Sequence, residues 1–488
     1  MERRTEGRLH LLGILVHLPA VLALTTLPVC VGAGETALAP AFLACGVLSA
    51  ACGQALVRRF RPFEEADLHD AMVVAALAWI VVPAIGAAPF LWLGRVAGDR
   101  FAEAAVFAAP IDAFFEAASG FTGTGLTMSA HPSALPRSLQ WWRSASQWVG
   151  GLGVIVLMLA VVRPAASALH LYRAEAREER ALPSVASTVR AHLGIYVAWT
   201  LVGIVALRAT GAPTWEAVHH GLTAVATGGF TIVDRGDGLG TIATRAVLLA
   251  LMVVGATSFH AHARMLRERS LRALWADGQH RVFGVLLVGF VAALLVESRA
   301  SRGAFRVGES AFQAISALCT AGFQTASLDA WSEGALLLLV VAMVVGGAAG
   351  STCGGIKTAR VYLLLKGLAW RHRDVLRRPH EVVRHELDGR GVERDEAIGA
   401  VEVAAVLVLA WVGFLLLGAL ALLHAAPAGT GLAAVLVEVA SAQGNVGLSA
   451  GITGPSLPAG GKLVLLALMW VGRLELLPVL VLLHPRRR

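Results

Sequence analysis

The sequence predicts an all-α polytopic membrane protein: four span–pore-helix–filter–span repeats around one pore, preceded by two extra N-terminal transmembrane helices. Three observations carry this. Only 15% of the 488 residues are charged and the mean hydropathy is +0.68, against roughly 25% charged in soluble chains, which excludes disorder and speaks against a soluble fold. Several apolar runs exceed the roughly 18 residues that mark a bilayer-spanning helix. Between those runs lie four short glycine-ended segments that align with one another.

The elements follow in order. An N-terminal hairpin (1–66) holds the runs 9–31 and 36–57. Its arginines and first apolar stretch imitate a secretory leader. That stretch is longer than the roughly 7–15 residues of a leader core, and a second run follows at once, so two retained helices are expected. Repeat one (67–170) holds 71–94 and 141–162, and repeat two (171–272) holds 192–207 and 242–262. Repeat three (273–372) holds 282–296 and 335–365, and repeat four (373–488) holds 398–424 and 462–484. Ten spans leave both ends on one side. With the N-terminus inside, 28 Lys and Arg fall inside and 11 outside, so the positive-inside rule places both termini in the cytoplasm. The same clustering explains the net charge of +8 without nucleic acid as a partner. Cys30, Cys45, Cys52, Cys319 and Cys353 are odd in number, lack a CxxC spacing and lie in or beside apolar segments. They read as small apolar fillers, not as a disulfide framework or zinc site.

Four outer connections contain half-length stretches, 111–122, 214–226, 307–319 and 430–442. A helix of that size spans about 15–20 Å, too little for a bilayer core of about 30 Å. Each is either a surface helix or a re-entrant helix that dips in and turns back. Aligning EAASGFTGTGLT (116–127), HGLTAVATGGFT (220–231), QAISALCTAGFQ (313–324) and EVASAQGNVGLS (438–449) favours the second. Gly125, Gly229, Gly322 and Gly447 share one column, followed by Leu126, Phe230, Phe323 and Leu448, then by Thr127, Thr231, Gln324 and Ser449. Six positions earlier stand Ser119, Thr223, Ser316 and Ser441; nine earlier stand Glu116, His220, Gln313 and Glu438. Recurrence of this kind marks one supersecondary unit used four times. Non-helical backbone at membrane depth must aim its carbonyls at something. A ring of four such strands offers them to a dehydrated cation, and glycine takes the required backbone angles cheaply. The half-helices would point their partly negative C-termini at the axis. Backbone carbonyls of Thr124, Gly125, Gly228, Gly229, Ala321, Gly322, Val446 and Gly447 are the expected ion ligands, with Thr122, Gly123, Thr227, Thr320 and Asn445 completing the filter.

This constellation resembles the Trk/Ktr/HKT superfamily of potassium uptake proteins, in its TrkH-like branch, over residues 71–484. The resemblance rests on the four filter segments and on QWVGGLGVIVL (147–157), GGAAGSTCGGIKTARV (346–361) and VGRLELLP (471–478). It implies potassium uptake across a bacterial cytoplasmic (inner) membrane by a multi-pass protein with one pore per chain, in a homodimer surrounded by lipid. Potassium is then the permeant ligand, and no organic cofactor is expected. Sodium or mixed translocation, or a carrier coupled to protons or sodium, are the alternatives. The sequence departs from the usual pattern at Gly123, where threonine is more common, and at Cys319, where serine is.

The segment 346–358 interrupts an apolar span with glycines, each costing about 1 kcal/mol in a helix relative to alanine, so it should be unwound. Its likeness to a phosphate-binding loop fails, because Ile356 separates glycine from Lys357 and no strand precedes it. The resemblance makes it an intramembrane gating loop formed by Gly346, Gly347, Gly350, Ser351, Thr352, Gly354, Gly355 and Lys357, opposed by Arg473; a glycine-rich packing face is the other reading. An arginine within a span faces a cavity or a partner, and Glu475 is a candidate partner. Lys357 is expected either to gate or to snorkel to the inner interface. Asp112, Glu116 and Glu438 are expected to pair within the protein more than to attract cations, and His260 and His262 to be solvated. The adjacent His219 and His220 point to different helix faces, which disfavours a shared metal. No enzyme motif occurs. The basic loop 361–394 suits lipid headgroups; by resemblance it also suits a cytosolic, nucleotide-binding regulatory subunit.

Overall fold

The computed structural model describes residues 2–63, 67–96, 101–162, 185–234, 239–301, 307–329, 331–376, 385–427 and 429–483. The N-terminal hairpin is α1 (Glu2–Val16), α2 (Leu18–Gly32) and α3 (Ala39–Arg59). Repeat one is α4 (Leu68–Gly86), α5 (Ala88–Val96), α6 (Pro110–Thr122) and α7 (Arg137–Val162); repeat two is α8 (Val185–Ala209), α9 (Thr214–Val225), α10 (Ile242–Ala256) and α11 (Phe259–Glu268). After a short α12 (Arg272–Trp275), repeat three is α13 (Gly278–Ala300), α14 (Val307–Leu318), α15 (Glu333–Val345) and α16 (Thr358–Leu376). A short antiparallel hairpin, β1 (His385–Leu387) with β2 (Arg390–Val392), leads to α17 (Arg394–Ala425), α18 (Leu432–Gln443), α19 (Ala459–Arg473) and α20 (Leu477–Leu483).

Among the described residues, six helical stretches are long and apolar enough to cross a bilayer: Arg3–Gly32, Thr36–Arg59, His69–Val96, Thr188–Ala209, Gly278–Ala300 and Arg394–Ala425. Two of the other expected spans are broken for local reasons, while 141–162 lies within the continuous helix α7. α15 ends after 13 residues at Gly346 (φ +70°), and the chain stays unwound until Thr358. The run 242–262 is not one straight helix, since α10 and α11 meet at 99°. There Thr257 and Ser258 are extended, and the Ser258 N–H leaves the helix ladder for His280 Nε2 at 3.3 Å.

The first helix of each repeat packs on its own half-helix: α4 on α6, α8 on α9, α13 on α14, α17 on α18. The second helix packs on the half-helix of the next repeat: α7 on α9, α10 on α14, α15 on α18, and α19 back on α6. That permutation closes a ring and buries the four half-helices, which carry many of the fully buried polar side chains.

A candidate ion-conducting site

The four half-helices end alike. The N–H groups of Gly123, Thr227, Thr320 and Asn445 donate to carbonyls three residues back, and those of Thr124, Gly228, Ala321 and Val446 to the carbonyls of Ser119, Thr223, Ser316 and Ser441 at 2.8–2.9 Å. This is the Schellman pattern, which needs a left-handed residue at the turn. Gly123 (φ +68°), Thr227 (+49°), Thr320 (+47°) and Asn445 (+49°) supply it.

The chain then runs extended through the glycine column. Gly125, Gly229, Gly322 and Gly447 have φ of +88°, +77°, +73° and +102°. A Cβ on Gly125 would lie 2.1 Å from the Gly228 oxygen, on Gly229 2.4 Å from Ala321 O, on Gly322 2.0 Å from Val446 O, and on Gly447 2.5 Å from Thr124 O. Each glycine thus faces the carbonyl that precedes the column glycine of the next repeat, and the fourth returns to the first. The four strands form one closed ring at the base of a cavity lined by all four glycines, Arg143 and Asp234. Burial alone would raise the Asp234 carboxyl, but Ser133, through its N–H and hydroxyl, and His131 hold it below the usual range.

The polar columns brace this ring unequally. Glu116 accepts from Thr127 Oγ1 (2.8 Å), Met128 N (2.9 Å) and Arg143 Nε (2.7 Å). Glu438 accepts from Ser449 Oγ (2.7 Å), Ala450 N (2.9 Å), Ile452 N (3.2 Å) and the Thr453 hydroxyl. Gln313 reaches Thr325, and His220 packs edge-on to Phe323. In the hydroxyl column, Ser441 accepts from Gly447 N and Ser316 donates to Phe323 O, while Thr223 bonds within its own helix. Asp112 pairs with Lys462 at 2.5 Å.

Two bracing residues, Arg143 and Gln147, escaped the sequence reading. Buried Arg143 bonds Glu116, Thr127 and the Thr231 carbonyl, tying strand one to strand two. Gln147 donates to Gly228 O (2.5 Å) and accepts from Phe230 N (3.0 Å); its place in QWVGGLG was the available signal. Gln324 exchanges two hydrogen bonds with the Ser449 backbone, joining strands three and four. Asn445 Nδ2, donating to Thr124 Oγ1 at 2.9 Å, joins strand four to strand one.

Beneath the ring lies the unwound segment 346–357. Thr352 Oγ1 donates towards the carbonyls of Val225 (3.1 Å) and Gly255 (3.0 Å) and accepts from Thr227 Oγ1 (3.0 Å). Gly354 N donates to Thr320 Oγ1 at 2.9 Å, and Cys353 Sγ to Cys319 O at 2.8 Å. Ser351 turns back onto Ala348 O. Gly354 is pressed so close to the fourth half-helix that a Cβ would meet Gly444 O at 1.9 Å; a Cβ on Gly346 would meet Gly354 O at 2.3 Å and one on Gly347 would meet Cys353 Sγ at 2.6 Å. Gly350 (φ +77°) and Gly355 (φ +76°) make the turns.

Arg473 is 5% exposed and spans the space beneath strand one. Nη2 donates to Gly150 O (2.9 Å), Nη1 to Thr352 O (3.3 Å), and the guanidinium faces the Trp79 ring at 5.4 Å. Its bonds go to carbonyls of repeat one and of the loop. Glu475 instead pairs with Arg360 at 2.6 Å and lies 3.9 Å from Lys357. Lys357 does not snorkel: it is 3% exposed, has φ +79°, and donates to Cys353 O inside the loop. His262 is not solvated either, being 3% exposed and bonded to Val254 O; His260 contacts His192 at 3.1 Å. His219 and His220 do not converge: His219 contacts Ser144 Oγ while His220 packs on Phe323. All five cysteines are free, and Cys52 alone of them is exposed.

A family model described as a cation transport protein, TrkH, matches residues 39–486. An uncharacterised cation transporter of Methanocaldococcus jannaschii is 29% identical over 482 residues, covering 99% of this chain and 96% of its own. The Trk system potassium uptake protein TrkH of Salmonella typhimurium is 30% identical over 436 residues, 86% of each chain. The crystal structure of the potassium transporter TrkH from Vibrio parahaemolyticus matches with a TM-score of 0.81 and 25% identity over 99% of both chains. On these matches and on the closed ring of four repeats, the chain belongs to the TrkH family of cation transport proteins.

Proposed function

We propose that this chain takes up potassium across the bacterial cytoplasmic membrane, with both termini in the cytoplasm. The observation that carries the reading is the closed ring, in which four column glycines face four carbonyls of the adjoining strands. The likeness to proteins named for potassium uptake supports the choice of ion.

In this reading a potassium ion enters the outer cavity and sheds water as the carbonyls of Thr124, Gly125, Gly228, Gly229, Ala321, Gly322, Val446 and Gly447 replace its hydration shell. The C-terminal ends of α6, α9, α14 and α18 add negative potential on the axis. Below, residues 346–357 with Arg473 form the gate. The guanidinium, charged at any physiological pH, opposes a cation until the loop that holds it through Thr352 moves. Membrane potential and gradient set direction. A homodimer, surrounding lipid and a cytosolic nucleotide-binding regulatory subunit complete the proposed assembly; nucleic acid has no part in it.

The test is ion flux into proteoliposomes holding the purified chain, under imposed voltage, with potassium, rubidium, sodium and lithium compared. Potassium and rubidium should exceed sodium and lithium by at least about tenfold, which is about 1.4 kcal/mol of discrimination. Equal sodium flux would replace this reading by mixed translocation, for which Gly123 and Cys319 are the sites to examine first.

A further inference from the structure

The first turn of α13 makes four consecutive attachments. Gly278 N donates to Asp388 Oδ1 at 2.8 Å. Gln279 Oε1 accepts from Ala349 N, inside the unwound loop, at 2.9 Å. His280 Nε2 accepts from Ser258 N at the α10–α11 bend, and the next residue's N–H of that bend, Phe259, donates to Gly350 O at 3.0 Å. Arg281 Nη2 pairs with Asp388 Oδ1 at 2.9 Å. One helical turn therefore joins the β1–β2 hairpin to the middle of the loop.

The same carboxylate holds the far end of the loop. Tyr362 lies one turn into α16, the helix that continues from Lys357, and its hydroxyl donates to Asp388 Oδ1 at 3.1 Å. The fit is close: a Cβ on Gly278 would meet the Tyr362 ring at 2.3 Å and Asp388 Oδ1 at 2.7 Å. Asp388 and Gly389 have φ of +51° and +80°, the pair of left-handed residues that a two-residue hairpin turn demands. The turn thus presents the carboxylate to the α13 N-terminus, where a negative charge is favoured by the helix dipole.

We propose that Asp388 is a positioning residue for the gate. From the β1–β2 hairpin it latches α13 and α16 together and so keeps residues 346–357 under the filter. This rests on reading that loop as the gate.

The test uses the full chain. Hydrogen–deuterium exchange of the loop amides is compared between the parent protein, Asp388→Ala and Tyr362→Phe, alongside rubidium uptake into proteoliposomes. Asp388→Ala should speed exchange at 346–358 by about tenfold, as expected for a local opening that loses its tether. It should raise rubidium uptake several-fold and leave the rubidium-to-sodium ratio unchanged, with Tyr362→Phe between it and the parent. Loop exchange equal to the parent's overturns the latch; so does faster exchange without faster uptake. Asp388→Asn keeps an acceptor for Gly278 and Tyr362 but no charge for Arg281, and should also fall between. Exchange that rises throughout the chain in both Asp388 variants marks general damage to the fold and likewise overturns it. If no variant passes any ion, the transport reading fails, whereas loop exchange still decides the latch.

Discussion

At Gly125 the missing side chain sets the width of the ring. Any Cβ there would stand 2.1 Å from the Gly228 oxygen at φ +88°, so Gly125→Ser must push strands one and two apart. A wider ring strips less of the hydration shell from either ion, which weakens the barrier to the more tightly hydrated sodium, and the potassium-to-sodium flux ratio should fall by about tenfold or more. An unchanged ratio from a folded variant would remove Gly125 from the filter. This column was legible in the sequence because only one residue type lacks a Cβ. The column two positions earlier was not: Thr227, Thr320 and Asn445 are left-handed as well, at about 1–2 kcal/mol each for an L-residue. Nothing about threonine announces that conformation. It is imposed by the Schellman bonds and by partners distant in sequence, Thr352 for Thr227, Gly354 for Thr320 and Thr124 for Asn445.

Among the elements, the half-helices of repeats one and four each bury a carboxylate but satisfy it differently. Glu438 has four hydroxyl and backbone donors and, among the described residues, no cationic one; Glu116 relies on Arg143 for its shortest bond, 2.7 Å. Breaking a buried pair by removing one partner typically costs about 3–5 kcal/mol. Arg143→Met should therefore lower the unfolding free energy by about 3 kcal/mol, the lower bound because Thr127 and Met128 still donate to Glu116. Glu116→Gln added to Arg143→Met should recover part of that loss. Denaturant or thermal unfolding in detergent measures both, and a double variant no better than the single would mean that Arg143 acts through its stacking on Phe230 at 4.2 Å instead. The carboxylates could be read from the aligned columns, but their partners could not. Arg143 stands 27 residues from Glu116 on another helix, and hydropathy records it only as an outer-side charge. The bend after Ala256 was hidden for a related reason. An apolar run looks the same whether its helix continues or turns by 99°, and the turn is fixed by His280 from the next repeat.

For the whole molecule, closure of the ring by α19 on α6 leaves the N-terminal hairpin outside it, docked on repeat one. At one end Glu35 accepts from Arg137 N (2.8 Å), Ser138 N (2.9 Å) and Ser138 Oγ (2.6 Å), which fixes the start of α7. At the other end the attachment is ionic: Arg4 meets Asp67 at 2.6 Å and Asp70 at 3.3 Å, and Arg8 meets Asp70 at 2.7 Å. Burial by itself would raise the Asp67 carboxyl, but the hydrogen bond from Arg4, the N-cap bond from Asp70 N at 2.8 Å and the Arg4 charge outweigh it and hold the carboxyl below its usual range. A carboxyl lowered in the folded state binds its proton more weakly there than in the unfolded chain, whose value is about 4. Its stabilising contribution is therefore complete above about pH 4 and is lost as the pH falls through the folded value. Acid should loosen α1 from α4 while the attachment of Glu35 to the start of α7 persists. Measured as hydrogen exchange, residues 2–16 should lose protection below about pH 4 before the half-helices do. Asp67→Asn should show that weaker protection already at neutral pH and respond less to acid. Protection of α1 that is the same in both proteins across this range would show that its apolar contact on α4, made by Leu12, Val16 and Ala78, holds the hairpin without the ionic clamp.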